Sequence, residues 1–586
     1  MDIEDIAEEF KSITDVDKFR LNIQRKYKIV LSKPDLINIY NNLNINDINL
    51  KNLITKKKQK STSGVIVITV LTSGNPSYEE NGLIITSKFS CKHDCAYCPN
   101  EKAHIGNGFI DQPRSYLYSE PAVLRANAND FEPIKQFNAR VSTLITMGHT
   151  VDKIELIVLG GTWSEYPKQY QDWFITSIYY AANTYIYPGK SSEKSINSEN
   201  IIIPERPEGP EGPEGPEGPE TIIHIRPMKT LLEEITINEG SKIHIIGLTL
   251  ETRPDNITLE EIKELRKYNC TRVQLGVQHT DNSVLKKIQR GHTIEATYNA
   301  IKLLKNNCFK VDIHLMPNLP GSSYEKDQKM LNDALYDERL QVDQYKIYPC
   351  AVVPWTKIKK WFDEGSYIPY DDKLLFTLIK DFKIKVQKWK RLNRIIRDIP
   401  STYITGGYKD VNMRQLLQND MKKNNWKCNC IRCREIKDNK VENIEQVCSV
   451  YTASDGTEYF ISYESTDYLV GFIRLRLNNN YENTLPILKD CALIRELHVY
   501  SNLSNVGENV KGSYQHKGFG GKLIEKAEEI AIKCGYRKIA IISGTGVRDY
   551  YRKFGYTLED TYMIKNLNIK NSTHLNTIFS LFSNNK

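Results

Sequence analysis

The sequence predicts an α/β chain: a partial (β/α) barrel, then a cysteine-rich zinc linker, then a smaller α+β domain. Three observations carry that prediction. Between residues 64 and 348, apolar, β-branched runs alternate with segments of helical spacing, the pattern of a parallel sheet covered by helices. Half of the 12 cysteines fall in two tight triplets, one inside that stretch and one well beyond it. The last third changes to strands followed by a glycine-rich helix start. At 586 residues the chain exceeds one core, and length alone suggests about three or four domains.

Composition narrows the class. Hydrophobic residues make up 40% and charged residues 26%, ordinary for a soluble globular protein. No apolar run approaches the ~20 residues of a membrane span. The acidic, polar start Met1-Asp2-Ile3-Glu4-Asp5 is not a secretory signal. Clustered cysteines suit metal ligation in a reducing compartment rather than disulfides, so a cytoplasmic protein is expected. The net charge of +8 leans toward an anionic partner.

Taken in order, residues 1–60 read as short polar helices ending in the basic run Lys51, Lys56, Lys57, Lys58 and Lys60. That run is either solvated surface or a phosphate-binding arm. Residues 61–400 hold the barrel pattern. Its strands are expected at Gly64–Leu71, Lys153–Leu159, Lys242–Leu250, Thr271–Gln278, Lys310–Met316 and Asp343–Tyr348. In such barrels chemistry sits at the carboxyl ends of strands, which here carry Gly160-Gly161-Thr162, Glu251-Thr252-Arg253 and Lys346-Ile347-Tyr348. One insert, about 188–221, turns into Pro-Glu-Gly repeats from Pro207 to Glu220. It cannot build a core and is expected to be a disordered surface segment. Residues 373–397 crowd lysines and arginines around Trp389, read as an exposed helix face or an RNA-gripping one.

The first triplet, Cys91-x3-Cys95-x2-Cys98, points to a metal or an iron–sulfur cluster. Zinc would need a fourth ligand, and His93 or His104 is nearest in sequence. A cubane held by three cysteines would leave one iron open to a small cofactor. The second triplet, Cys428, Cys430 and Cys433 in the 401–447 linker, suits structural zinc, with Cys448 or Cys491 completing it and Cys491 the expected ligand. In the final domain, 448–586, strands are expected at Tyr459–Tyr463, Val470–Leu477, Ala492–Tyr500 and Lys538–Ile542. Between the last two, Gln515-His516-Lys517-Gly518-Phe519-Gly520-Gly521 opens a helix. Consecutive amides at such a start form an anion cradle.

The Cys91/Cys95/Cys98 spacing, with Tyr97 before the last cysteine, resembles the radical S-adenosylmethionine (SAM) enzymes. The order Glu496-Leu497-His498-Val499, glycine-rich turn, strand, Tyr550-Tyr551-Arg552-Lys553 resembles the GNAT acetyltransferases. Together, a radical SAM barrel, a cysteine linker and a GNAT domain resemble the catalytic subunit family of the Elongator complex, from about Ser61 to Lys565. Val151-Asp152-Lys153 before Gly160-Gly161-Thr162, and Arg432-Cys433-Arg434-Glu435, also fit. The chain departs from that family in its short spacer after Cys91 and in Asn100-Glu101 where Gly-Gly is usual.

The resemblance implies formation of 5-carboxymethyluridine at the wobble position of tRNA from acetyl-CoA, by radical SAM chemistry. It implies a [4Fe–4S] cluster on Cys91, Cys95 and Cys98. It implies acetyl-CoA contacts from Lys153, Glu496 to Val499, Phe519 to Gly521 and Tyr551, with Gln515, Gly518 and Tyr550 beside them. Gly160 and Gly161 belong to the cofactor site on the same reading. The implied partner is tRNA, through its anticodon loop, with Lys56, Lys57 and Lys58 as phosphate contacts; accessory subunits or a homodimer stay open. The competing readings are a protein lysine acetyltransferase with a vestigial radical domain and a non-catalytic tRNA-binding scaffold. Three cluster cysteines and Gly518-Phe519-Gly520, all in place, weigh against both.

Overall fold

The computed structural model describes residues 7–54 in part, and residues 65–187, 226–500 and 518–567 apart from 81, 90, 411, 438 and 440. Lys56, Lys57, Lys58, Gln515 and the Pro207–Glu220 repeats lie outside the described residues.

After β1 (Ile66–Leu71) comes a short hairpin, β2 (Ser77–Glu80) and β3 (Leu83–Thr86). Then follow β4 (Lys153–Leu159), β5 (His244–Thr252), β6 (Arg272–Gln278), β7 (Lys310–Leu315), β8 (Gln344–Ile347) and β9 (Arg391–Arg394). β1 and β4 to β9 form one seven-stranded sheet in chain order, and every pairing is parallel. Helices such as Lys168–Thr184, Leu259–Lys267 and Ile294–Asn306 return the chain between strands. Ile154, Leu156, Leu248, Leu250, Val273 and Leu275 turn outward into the layer beneath those helices and are fully buried.

The inward face is polar. Neighbouring strands lie about 4.8 Å apart, so contacts between strands two apart mark the concave side. Glu155 of β4 pairs with Arg272 of β6 at 2.7 Å. Arg272 bonds Gln344 of β8 at 2.9 Å, Lys346 of β8 bonds Gln274 of β6 at 2.5 Å, and Asn393 of β9 bonds Asp312 of β7 at 3.0 Å. Closed barrels usually fill this space with branched aliphatics; here charge and amide run from end to end.

The second domain is a seven-stranded sheet of β10 (Glu445–Ala453), β11 (Gly456–Ser465), β12 (Tyr468–Asn478), β13 (Cys491–Val499), β14 (Lys538–Ile541), β15 (Thr557–Glu559) and β16 (Tyr562–Asn566), in the order 10-11-12-13-14-16-15. Its core is not separate from the barrel's. Leu493, Ala540 and Ile542 join the same buried cluster as Leu248 and Val311. A buried ionic knot crosses the junction. Arg495 of β13 holds Asp343, just before β8, at 2.7 Å and Glu458 of β11 at 2.6 Å, and all three side chains are fully buried. Lys305 of the barrel completes it, 3.1 Å from Glu458.

The basic stretch 373–397 departs from the expected helix. The Asp372–Lys385 helix stops there and the chain turns into β9. Lys383 and Lys390 are fully buried. Lys390 donates to the carbonyls of Ala334 and Leu335, Arg397 pairs with Glu120 at 2.6 Å, and Trp389 stacks on Tyr451. Lys390 and Arg397 satisfy interior oxygens and Lys383 approaches the Cys433 sulfur, so the stretch is not one exposed basic helix, although Lys385, Lys388 and Arg394 stay exposed.

Candidate active site

The first cysteine triplet lies on the loop after β3, at the carboxyl end of the sheet. Ala96 anchors it: the residue is buried with Leu285 and Ile288, and its amide donates to the Ile288 carbonyl. Cys91 Sγ is 3.4 Å from Thr162 Oγ1, beyond the end of β4. The Gly160 before it has φ +130, and a Cβ there would lie 1.8 Å from Thr72 Oγ1, so only glycine passes. Cys95 Sγ meets the guanidinium groups of Arg290 at 3.4 Å and Arg253 at 3.9 Å. Burial pushes the Cys95 thiol up, but Arg290 and Arg253 outweigh it and hold the thiol below its usual range. Burial, with the neighbouring Cys95, pushes Cys98 up. Three thiols on one loop, with two guanidinium groups as counter-charge, fit an iron–sulfur cluster. Neither candidate histidine completes a single-ion site: His93 faces Asp255 at 3.7 Å, and His104 faces Glu101 at 3.0 Å.

At the opposite end of the same sheet, a pocket opens between the amino ends of the barrel strands and β13. Glu155, Arg272, Lys310, Gln344 and Arg391 line it from the barrel, and Glu496, Leu497, His498 and Tyr551 from the second domain. β13 and β14 pair only from Cys491 to Ile494. Beyond that the two strands part, leaving the 495–499 edge open on that side. Burial pushes the His498 imidazole below the usual histidine range, and its Nε2 lacks a hydrogen-bond partner. Lys153 opens β4 on the face shared with Glu155, since strand residues two apart share a face. The Phe519–Lys533 helix starts at Gly518, φ +75, and Tyr550 packs so closely that a Cβ on Gly520 would lie 2.3 Å from its hydroxyl. The strand carboxyl ends were the expected place for the barrel's chemistry; this pocket is at the amino ends, where, of the barrel residues, only Lys153 was expected to contact acetyl-CoA. Its barrel residues escaped the sequence reading because they are scattered over five strands, although the polar alternation Arg272-Gln274, Lys310-Asp312-His314 was visible.

Near the carboxyl ends of β5 and β7, Glu251 and His314 face each other at 3.5 Å, and Tyr116 donates to Glu251. Burial pushes the Glu251 carboxyl up and the His314 imidazole well down. His314 Nε2 has no hydrogen-bond partner.

The second triplet is a different object. The sulfurs of Cys428, Cys430 and Cys433 all lie within 4.8 Å of one another, and they form the one such group of potential ligands among the described residues. A tetrahedral ion with ~2.3 Å bonds sets its sulfurs about 3.8 Å apart, so the donors suit zinc. Cys491 is not with them: its Sγ lies 3.6 Å from the Ile487 carbonyl and 3.7 Å from that of Lys489. Cys448 is exposed on β10. Position in sequence suggested both, but the strands they sit on run elsewhere.

A parallel half-barrel with a three-cysteine loop, fused to a splayed acetyltransferase sheet, defines a radical SAM and GNAT protein. The family models agree: the radical SAM superfamily over residues 218–334, the radical SAM C-terminal domain over 342–423 and the acetyltransferase (GNAT) family over 431–556. The chain is similar to the tRNA uridine(34) acetyltransferase of Methanocaldococcus jannaschii, 36% identical with 88% of this chain and 87% of that protein covered. It is similar to Elongator complex protein 3 of Drosophila melanogaster, 32% identical with 88% and 86% covered. A solved structure, the archaeal Methanocaldococcus infernus Elp3 with an N-terminal deletion, is 33% identical and superposes with a TM-score of 0.66, covering 86% of this chain and 100% of that one. The chain belongs to the tRNA uridine(34) acetyltransferase and Elongator complex protein 3 family.

Proposed function

We propose that this protein modifies the wobble uridine of tRNA, placing an acetyl-CoA-derived carboxymethyl group on the C5 carbon of the base. Its relatives carry the name tRNA uridine(34) acetyltransferase. One observation carries the finer reading: a polar-lined pocket and a cysteine loop occupy opposite ends of one sheet. Two active centres that worked separately would have no use for a charged lumen joining them.

When bound, a [4Fe–4S] cluster on Cys91, Cys95 and Cys98 with SAM supplies a one-electron route to a carbon radical. The rest falls to the chain. The open edge Glu496–Val499 offers its backbone to the pantetheine arm, and the amides of Phe519, Gly520 and Gly521 offer a pyrophosphate cradle. Tyr550 and Tyr551 close that side, with Lys153 at the mouth. Lumen amides and cations orient the thioester and exclude bulk water. Glu251 and His314, their proton affinities pushed together, can hold one proton between them where the thioester must be cleaved. Cys428, Cys430 and Cys433 take zinc structurally. The reaction places the protein with tRNA in the cytoplasm.

The test is mass spectrometry of tRNA nucleosides after incubation with SAM, acetyl-CoA and a reductant. A 5-carboxymethyluridine product is expected. Acetylated protein lysines with unmodified tRNA would overturn the reading in favour of a lysine acetyltransferase.

A further inference from the structure

Beside the cysteine loop stands a surface that neither active-centre half uses. The loop after Cys98 is built around the buried carboxylate of Glu101. That carboxylate accepts from Asn107 Nδ2 at 3.4 Å and from the Tyr118 amide at 2.8 Å, and lies 3.0 Å from His104 Nε2. Asn107, fully buried, also donates to the Lys102 carbonyl. A loop so tied internally is rigid, yet it displays apolar side chains to water. Ile105 is 85% exposed and Phe109 70%. Trp355, 40% exposed, reaches the same place from after β8. Its ring stacks on His104, with centroids 5.3 Å apart, and leans on Tyr403 at 5.9 Å.

Backbone conformation adds a second observation. Phe109 and Trp355 both have φ +58, the left-handed region that bulky residues avoid at a cost of about 1–2 kcal/mol. Folding recovers little of that at Phe109, whose ring remains in water, and only part of it at Trp355, whose ring keeps one exposed side. Glycine would serve the turn better at each position. A strained, exposed aromatic is retained for something that binds it.

Position, more than charge, identifies the occupant. The cations on these two loops are paired, Lys102 with Asp111 and both Arg114 and Lys357 with Asp94, which leaves one positive charge in excess over these five residues. The Asn100 amide donates to the Trp355 carbonyl at 3.1 Å, so the platform is bonded directly to the cysteine loop. We propose that His104, Phe109 and Trp355 form a stacking platform for unstacked bases of a single-stranded RNA loop beside the wobble uridine. This deepens the proposed function and rests on it. A base drawn into the site must leave its stack, and its neighbours need new flat partners. Aromatic faces supply them without reading sequence.

The probe is an anticodon stem–loop RNA carrying 2-aminopurine next to the wobble uridine, with the same stem closed as a continuous duplex for comparison. Wild-type protein should quench the 2-aminopurine and prefer the loop over the duplex. Trp355→Ala and Phe109→Ala should each weaken loop binding about ten-fold and relieve the quenching, with iron content intact. The slope of affinity against salt should stay the same, because no phosphate contact is lost; Lys357→Ala should instead lower that slope by about one. Trp355→Tyr should restore binding. Phe109→Gly gives the sharpest signature: thermal stability held or raised while binding falls. Wild-type affinity and quenching in both alanine variants would overturn the platform, as would a fall in binding accompanied by loss of the cluster. If wild-type protein stacks the probe but leaves tRNA unmodified, the platform stands and the proposed reaction fails.

Discussion

The two cysteine triplets have the same number of thiols and opposite designs. Cys428, Cys430 and Cys433 draw their sulfurs within 4.8 Å of one another, and the first triplet does not converge that far. A single ion binds all its ligands at one centre, whereas a cubane offers each thiolate a different iron and needs them spread. The spacing follows: C-x-C-x2-C folds back on itself, while C-x3-C-x2-C wraps a larger object. Their surroundings differ too. Cys95 faces two arginines at the carboxyl end of the sheet. Cys433 has one buried lysine, Lys383, at 3.9 Å. One triplet is placed for exchange with ligands, the other for holding the linker against β9.

The largest effect should come from separating the two chemically. Replacing Cys91, Cys95 and Cys98 together by Ala should remove about four iron per chain and abolish nucleoside modification, while roughly one zinc remains. Loss of both metals together would show the sites to be one folding unit and break the comparison. Next, Cys430→Ser should lose zinc and lower Tm, because binding a structural metal is part of the folding free energy. Iron should be retained. Cys491→Ala should keep its zinc; losing it would bring that thiol back as the fourth ligand.

How much of this was legible depended on how local each feature is. The barrel strands and both triplets are contiguous in sequence, so periodicity and spacing revealed them. β9 was hidden, because Arg391-Leu392-Asn393-Arg394 points polar groups into a polar lumen and carries no apolar alternation. Lys383 to Arg397 looked like a basic helix for the same reason: charge in sequence does not report burial. The position of Cys491 was legible as a strand start, but the direction of its sulfur is set by tertiary packing. The pocket at the amino ends gathers single residues from many strands, and no window of sequence contains it.

A smaller, still measurable effect should come from the buried ionic knot at the domain junction, which neither triplet uses. Arg495→Met leaves Asp343 and Glu458 buried without their shared partner, and breaking such a pair costs about 3–5 kcal/mol. Iron and zinc per folded chain should not change. The same knot predicts acid sensitivity. Burial pushes Glu458 up, but Arg495, Lys305 and Arg476 outweigh it and bring it down to about 2; Asp343 is likewise held well below the carboxylate range, against burial, by Arg495 and Lys305. An unfolded Glu titrates near ~4.3. The unfolded chain therefore binds more protons than the folded one below that pH, so stability is full above about 4 and falls as pH drops toward about 2. Urea midpoints measured from pH 6 to pH 3 should decline, and the decline should flatten in Glu458→Gln. A flat wild-type profile would mean that the knot does not carry the junction.

The smallest effect should follow deletion of Pro207–Glu220. The described residues on either side of the insert are already clamped together. Tyr180 donates to the Arg226 carbonyl at 2.7 Å, Arg226 pairs with the buried Glu234 at 2.6 Å, and Asn183 donates to the same Glu234 at 2.8 Å. On the near side, Tyr187 donates to the Val151 carbonyl at 3.0 Å. Both ends are held by the barrel's own helices, so shortening the segment between them should cost little. Halving a loop changes closure by roughly 0.6 kcal/mol. The deletion should shift Tm by no more than a few degrees and leave iron, zinc and nucleoside modification at wild-type levels. A deletion that lost iron alone would tie the insert to the cysteine loop and make it part of the first site. Loss of tRNA affinity with both metals retained would instead assign the acidic repeats a role in substrate choice.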